Sequence, residues 1–274
     1  MAKFFYDCEF LEGKQKEKFP MSLFRKETKP TIDLISIGIV SDDERYYYAV
    51  SKEFNLKEAW NRYDEKECYG IGTCQNRDFH GNCTREEKCD TIKVYWIRDN
   101  VLKPIFRQWY GVHNNIDPTV FDHKFTYKEF KRLLLKEGKT NKEIAVEVKA
   151  FTNVIARDKF DNSYVTGEKV ELYAYYGSYD HVALCWLFGK MIELLDGFPM
   201  YTNDLKQELD RKEAHIDYIV KTDYQLSILN KAGKTYNSIK EYPNYPKQYN
   251  AHNAHNALDD AIFNRNLYNF LKTL

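Results

Sequence analysis

The chain has 274 residues, and its 41 Lys and Arg balance 41 Asp and Glu, so no global positive field recruits a polyanion and any nucleic-acid contact has to rest on local patches. Apolar residues make up 43% and aromatics 16%, which excludes a disordered chain in spite of 30% charged residues. The length favours a single elaborated domain over 1–274. With no apolar run of about 18 residues and no signal segment in "MAKFFYDCEF", a soluble, cytoplasmic, non-membrane protein is the expectation.

The opening "KFFYDCEF" reads as an aromatic-rich strand. A charged loop follows, with Lys14, Lys16, Lys18, Arg25, Lys26 and Lys29. Next, "TIDLISIGIVSDDERYYYAVS" holds two β-forming runs around the turn-prone Ser-Asp-Asp, a hairpin signature. Residues 61–92 are polar and without period, and read as an insertion. A second basic stretch, 124–142, is helical in pattern; for both stretches the plainer alternative is a solvated surface. "TNKEIAVEVKAFTNVIA" is helical in period, with Thr140 or Asn141 as cap. "EKVELYAYYG" is a strand ending at Gly177, and Ser178 is expected to cap the apolar helix that follows. A last helix runs from about Asn256 to Leu271. Strands first, then helix, strand and two helices, predict an α/β fold with a mixed sheet.

Acidic residues fall where they have to interact. Asp7 and Glu9 stand two apart on the first strand and project from one face, their Cα atoms roughly 7 Å apart. Paired, partly buried anions shift their pKa values or recruit a cation, and a divalent metal suits oxygen ligands; the alternative is an exposed strand with two solvated acids. Asp180 lies in the first turn of a helix after a strand, where open α/β sheets place ligands, although a favourable interaction with the helix dipole would also account for it. In the last helix, phase turns Asp260 toward the protein body and Asp259 toward water. A buried Asp260 needs a partner, either a metal shared with the other acids or a backbone N–H.

"YDCEF", "YGSYDHVAL" and "HNALDDA", in this order, resemble the three motifs of DEDDh 3′-to-5′ exonucleases of the RNase T and DnaQ-like superfamily. Within it the likeness is to a small bacterial exoribonuclease family that includes a mycobacterial enzyme and polyadenylate-specific exoribonucleases. It extends to "TIDLISIGIV", "WIRDNVLKPI" and "KEIAVEVKAF", covers about two-thirds of the chain, and departs at residues 61–92 and in parts of 107–140 and 225–250. The resemblance implies an RNase H-like mixed sheet flanked by helices, two Mg or Mn ions held by Asp7, Glu9, Asp180 and Asp260, and single-stranded 3′ ends as substrate, RNA before DNA. Its motif places the general base five positions before the last aspartate, which selects His255 and leaves the role of His252 open. It also implies that backbone around Cys8, Phe10 and Leu11 lines the pocket of the terminal nucleotide, with Phe10 either stacking on a base or packing in the core. Tyr242, Tyr245 and Tyr249 either stack on bases or pack a loop.

Cys68, Cys74, Cys83 and Cys89 follow a C-x5-C-x8-C-x5-C pattern inside the insertion. Four thiolates suit a structural zinc, while reduced thiols and disulfides are the alternatives. Cys8 and Cys185 read as small buried hydrophobes. Besides a 3′-to-5′ exoribonuclease, the readings are a DNA exonuclease, a phosphodiesterase for very short oligonucleotides, and an inactive nuclease scaffold that binds nucleic acid or protein.

Overall fold

The computed structural model of the protein describes residues 2–17, 20–66, 92–117, 120–152, 155–157, 163–165, 169–222, 239–242, 244–247 and 255–274. In chain order the elements are β1 (Ala2–Gly13), β2 (Thr31–Ser41), β3 (Tyr46–Val50), α1 (Leu56–Asn61), β4 (Asp64–Lys66), β5 (Ile92–Val94), α2 (Lys103–Asn114), α3 (Tyr127–Glu137), α4 (Asn141–Thr152), β6 (Ile155–Arg157), β7 (Ser163–Val165), β8 (Val170–Ala174), α5 (Ser178–Phe188), β9 (Asn203–Asp204), α6 (Leu205–Thr222) and α7 (Ala257–Leu271). A π-helical turn, Arg98–Leu102, leads into α2.

The five-stranded sheet has the order β3-β2-β1-β8-β9. β1, β2 and β3 are antiparallel neighbours, whereas β8 runs parallel to β1 and β9 parallel to β8. This is the mixed α/β sheet flanked by helices expected of an RNase H-like fold. Alternation along β1 divides the core: Phe4, Tyr6 and Cys8 pack on one face against Ile144, Val148, Ala183 and Leu184 of α4 and α5. On the other face Leu11 joins Phe106 of α2 and Phe130 of α3. A third cluster unites Leu205 and Leu209 of α6 with Phe263, Leu267 and Phe270 of α7.

Sequence patterning over-extended two elements. The helix read through Ala156 ends at Thr152, whose hydroxyl donates to the Val148 carbonyl (2.7 Å), and Ile155 already belongs to β6. Thr140 is its cap: Glu143 N–H donates to Thr140 Oγ1 (3.2 Å) and Thr140 N–H to the Glu143 carboxylate (2.6 Å). The basic stretch 124–142 is likewise not one helix, because Gly138 stops α3 and α4 starts at Asn141. Arg132 and Lys139 there pair with Glu129 and Glu147, so part of that charge is spent within the fold. Ser178 is not a cap. α5 begins at Ser178 itself, after Gly177, where a Cβ would sit 2.9 Å from the Ala174 side chain and 3.0 Å from that of Thr202. Lack of room at this turn, not side-chain capping, sets the helix start.

One glycine determines how α7 meets the sheet. Gly38 of β2 pairs with Asp7 of β1, and a Cβ on Gly38 would fall 2.3 Å from the Ala257 carbonyl oxygen and 2.4 Å from Leu258 Cα. The first turn of α7 therefore rests on bare backbone. Farther along, Asn264, 1% exposed, donates to the Tyr6 carbonyl (3.0 Å) and fixes the helix to β1. Gly38→Ala forces backbone against backbone; a loss of about 1–3 kcal/mol in urea unfolding is expected, with activity falling alongside. Unchanged stability would show that α7 can lift without cost.

Candidate active site

The site lies where β1, α5 and α7 meet. Asp7 and Glu9 project from the face of β1 that α7 covers, with a register irregularity on β2 directly after Glu9. Asp180 enters from the first turn of α5, 5% exposed, and its Oδ1 accepts the Cys8 N–H at 2.9 Å. Asp260 stands one turn into α7, whose start is capped by the Asn256 side chain accepting from Leu258 and Asp259 N–H. Glu9, His255 and Asp260 are the tightest group, with one potential ligand atom from each within 4.8 Å of the others. Asp7 and Asp180 stand outside that triplet but act on it through their charge.

Electrostatically the site is under load. Burial, followed by the charges of Asp180, Glu9 and Asp260, holds Asp7 well above the carboxylate range, and burial with Asp260 and Asp180 does the same to Glu9. Asp180 is pushed up to about 7 by burial, with Asp204 and Asp260 adding to the shift against the hydrogen bond from Cys8. Asp260 rises to about 6, through burial and then Asp259. Among the described residues no Lys or Arg lies within ion-pair distance of any of the four. Four such carboxylates without a basic side chain are a donor set that fits divalent cations, which prefer oxygen ligands and bring the missing charge.

His255 occupies the residue before the Asn256 cap with φ of 65°, a left-handed conformation more accessible to His than to most side chains. Its Nδ1 is 3.8 Å from Glu9 Oε1, and its ring meets that of Trp96 edge-on at 4.7 Å. Burial lowers its pKa, so the imidazole is neutral at physiological pH and can accept a proton.

Trp96 belongs to a wall the sequence reading did not foresee. β4 and β5 pair antiparallel and bring the two ends of the insertion together beside the cleft. A groove of about 400 Å3 then runs between Glu9 and Phe10 on one side and Arg62, Tyr63 and Trp96 on the other. Tyr63 and Trp96 are each 41% exposed, open enough to take a ligand's face. The detectable signal was the spacing of aromatic residues at the two edges of the insertion, "NRY" and "VYW", which only strand pairing makes adjacent.

The remaining sequence-derived sites are placed unevenly. Phe10 reaches the groove, edge-on to Tyr179 at 5.8 Å. The Leu11 side chain is fully buried, and the Cys8 N–H is committed to Asp180. Cys8 and Cys185 are free and buried. Tyr242 and Tyr245 pack on Phe270 at 6.3 and 5.4 Å instead of facing the cleft. Asp259 does not face open water as helical phase suggested: it is half-buried, engaged, and its charge raises Tyr48 as well as Asp260. The reason is the contact at Gly38, which presses the first turn of α7 onto the sheet and covers two of its faces. Cys68, Cys74, Cys83, Cys89, His252 and Tyr249 lie outside the described residues.

Known proteins include relatives of this chain. It is similar to 3′-5′ exoribonucleases of two Mycobacterium tuberculosis strains, CDC 1551 and H37Rv. Each is 25% identical over 209 residues, covering 75% of this chain and 72% of the relative. No protein-family model matches the chain. No helix among the described residues is long and apolar enough to cross a membrane.

Proposed function

We propose that the chain is a metal-dependent 3′-to-5′ exoribonuclease of the DEDDh type. The observation that carries this reading is the convergence of Glu9, His255 and Asp260, with Asp7 and Asp180 beside them and, among the described residues, no Lys or Arg to neutralise the acids. The similarity to two proteins named as 3′-5′ exoribonucleases supports the direction and the polymer. Asp7, Glu9, Asp180 and Asp260 would hold the cations. When bound, Mg or Mn supplies positive charge against the phosphate and makes a nearby water easier to deprotonate.

The chain's own residues account for the rest. His255 takes a proton from the attacking water, a new O–P bond forms, and the bond from phosphorus to the penultimate 3′ oxygen breaks, releasing a nucleoside 5′-monophosphate. Trp96 limits rotation of the His255 ring, and the Trp96, Tyr63 and Phe10 groove takes the terminal base or sugar.

The direct test incubates end-labelled single-stranded RNA and DNA with Mg or Mn; absence of metal-dependent shortening from the 3′ end in both would refute the enzyme. For the base, His255→Asn is the informative change, since Asn tolerates the left-handed backbone at φ of 65°. Hydrolysis is expected to fall about 10²–10⁴-fold near neutral pH while RNA binding persists. Full activity in this variant would remove His255 from the mechanism.

A further inference from the structure

We propose that the described residues of the β1-β2 extension, 14–17 and 20–30, form a docking arm for the body of a single-stranded RNA whose 3′ end enters the acidic cleft. The orientation of the strand rests on the exoribonuclease reading; the binding surface does not. Past the last β1-β2 pair, Gly13 with Thr31, the chain continues as an extension joined by an antiparallel bridge between Lys16 and Glu27. Glu17 N–H donates to the Lys26 carbonyl at 3.0 Å and Thr28 N–H to that of Gln15 at 2.8 Å, and the turn Met21–Leu23 lies at its outer end. Its two limbs are thus hydrogen-bonded to each other.

Its surface combines apolar and cationic side chains. Phe24 is 81% exposed, the most of any large apolar side chain among the described residues, and Leu23 is 70% exposed. Lys16, Lys26 and Lys29 are exposed and have no carboxylate within ion-pair distance. The acids in the neighbourhood are already engaged: Glu17 by Arg25, and Asp33 by Gln15 (2.7 Å) and Thr31 (2.8 Å). A groove of about 570 Å3 between the hairpin and Asn55 is lined by Lys16, Arg25 and Lys29. Free ammonium groups and an exposed aromatic ring on one short hairpin are what a single-stranded nucleic acid recognises, through its phosphates and base faces.

Two further facts favour RNA over another occupant. The cleft is itself acidic and the whole chain is neutral, so a polyanion has to be anchored by a local cationic surface elsewhere. The hairpin is also joined to the cleft by a continuous wall. Arg62, which lines the cleft groove with Glu9 and Glu12, donates to the carbonyls of Glu12 and Lys14, tying the arm's base to the cleft's rim. At about 3.3 Å per residue, Glu9 and Lys16 are at most roughly 23 Å apart, a distance several nucleotides cover.

The test uses a single-stranded RNA of about twenty nucleotides, long enough to reach both surfaces. Its binding is followed by fluorescence anisotropy in EDTA, and its hydrolysis in Mg is compared with that of a dinucleotide. A Lys16→Ala, Lys26→Ala, Lys29→Ala triple variant is expected to weaken RNA binding at least about tenfold and to lower the salt slope by about two. Phe24→Ala is expected to weaken it about tenfold without changing that slope. Both variants should hydrolyse the dinucleotide at wild-type rate, because it does not reach the arm. Unchanged RNA binding in both variants overturns the proposal, as does equal loss on the long RNA and the dinucleotide. Wild-type binding to phosphatidylserine vesicles without binding to RNA overturns it in favour of a membrane surface. Hairpin-dependent RNA binding with no hydrolysis would uphold the arm and refute the nuclease.

Discussion

Asp260→Asn should abolish metal-dependent RNA shortening, by about 100-fold or more, while the metal-free protein becomes more heat-stable. The two effects have one cause. Asp260 is raised to about 6 by burial and then by the charge of Asp259 beside it, with no Lys or Arg among the described residues within ion-pair distance. Its ionised form is therefore a cost of folding at neutral pH. Replacing it with a neutral isostere removes roughly 1–2 kcal/mol of that cost, allowing for partial exposure, or about 2–6 °C in Tm. Asp259→Asn is the paired control and should retain most of the activity, since Asp259 is not in the tight group with Glu9 and His255. A lower metal-free Tm in Asp260→Asn, or equal inactivation by Asp259→Asn, would contradict this account.

Divalent cations should stabilise the protein strongly above neutral pH and weakly in acid. For a carboxylate whose folded pKa exceeds its unfolded value, the folded state binds more protons, so stability falls as pH rises. The decline starts near the unfolded value of about 4 and is complete above the folded values, about 6 for Asp260 and about 7 for Asp180. Without metal, the contribution of Asp180 and Asp260 to unfolding free energy is thus expected to drop between about pH 4 and about pH 7. Mg or Mn recovers it by binding the ionised acids; at 100 times Kd the gain is about 2.7 kcal/mol, or roughly 5–10 °C in Tm. Near pH 5, where Asp180 and Asp260 carry protons, less than half of that shift should appear. Thermal melts with and without excess Mg at about pH 5 and about pH 8 decide it: a shift of the same size at both would show that cations bind elsewhere.

Much of this was legible in the sequence because periodicity and spacing report local geometry. The two-residue spacing of Asp7 and Glu9 gave a shared strand face, and the phase of α7 correctly turned Asp260 inward. The errors came from contacts that local pattern does not encode. Asp259 looks solvated on a helical wheel, but Gly38, more than 200 positions earlier, lets α7 settle onto the sheet and covers it. Trp96 and Tyr63 carried no motif; the pairing of β4 with β5 brings them to the cleft. Boundaries failed at Thr152 and Ser178, where a side-chain hydroxyl bonded within its own helix and a crowded turn outweighed helical period and capping preference.

The contact between β1 and α7 also has a temporal meaning. Asn264 holds the Tyr6 carbonyl across 258 positions, so the carboxylates of the first strand acquire Asp260 only once the chain has been made through α7. A nascent polypeptide still threaded through the ribosome, even with β1, β2, β8 and α5 assembled, has an incomplete cluster. Loss of α7 by proteolysis or local opening would leave the cluster incomplete in the same way, by removing Asp260 and the Asn264 bond to β1 together.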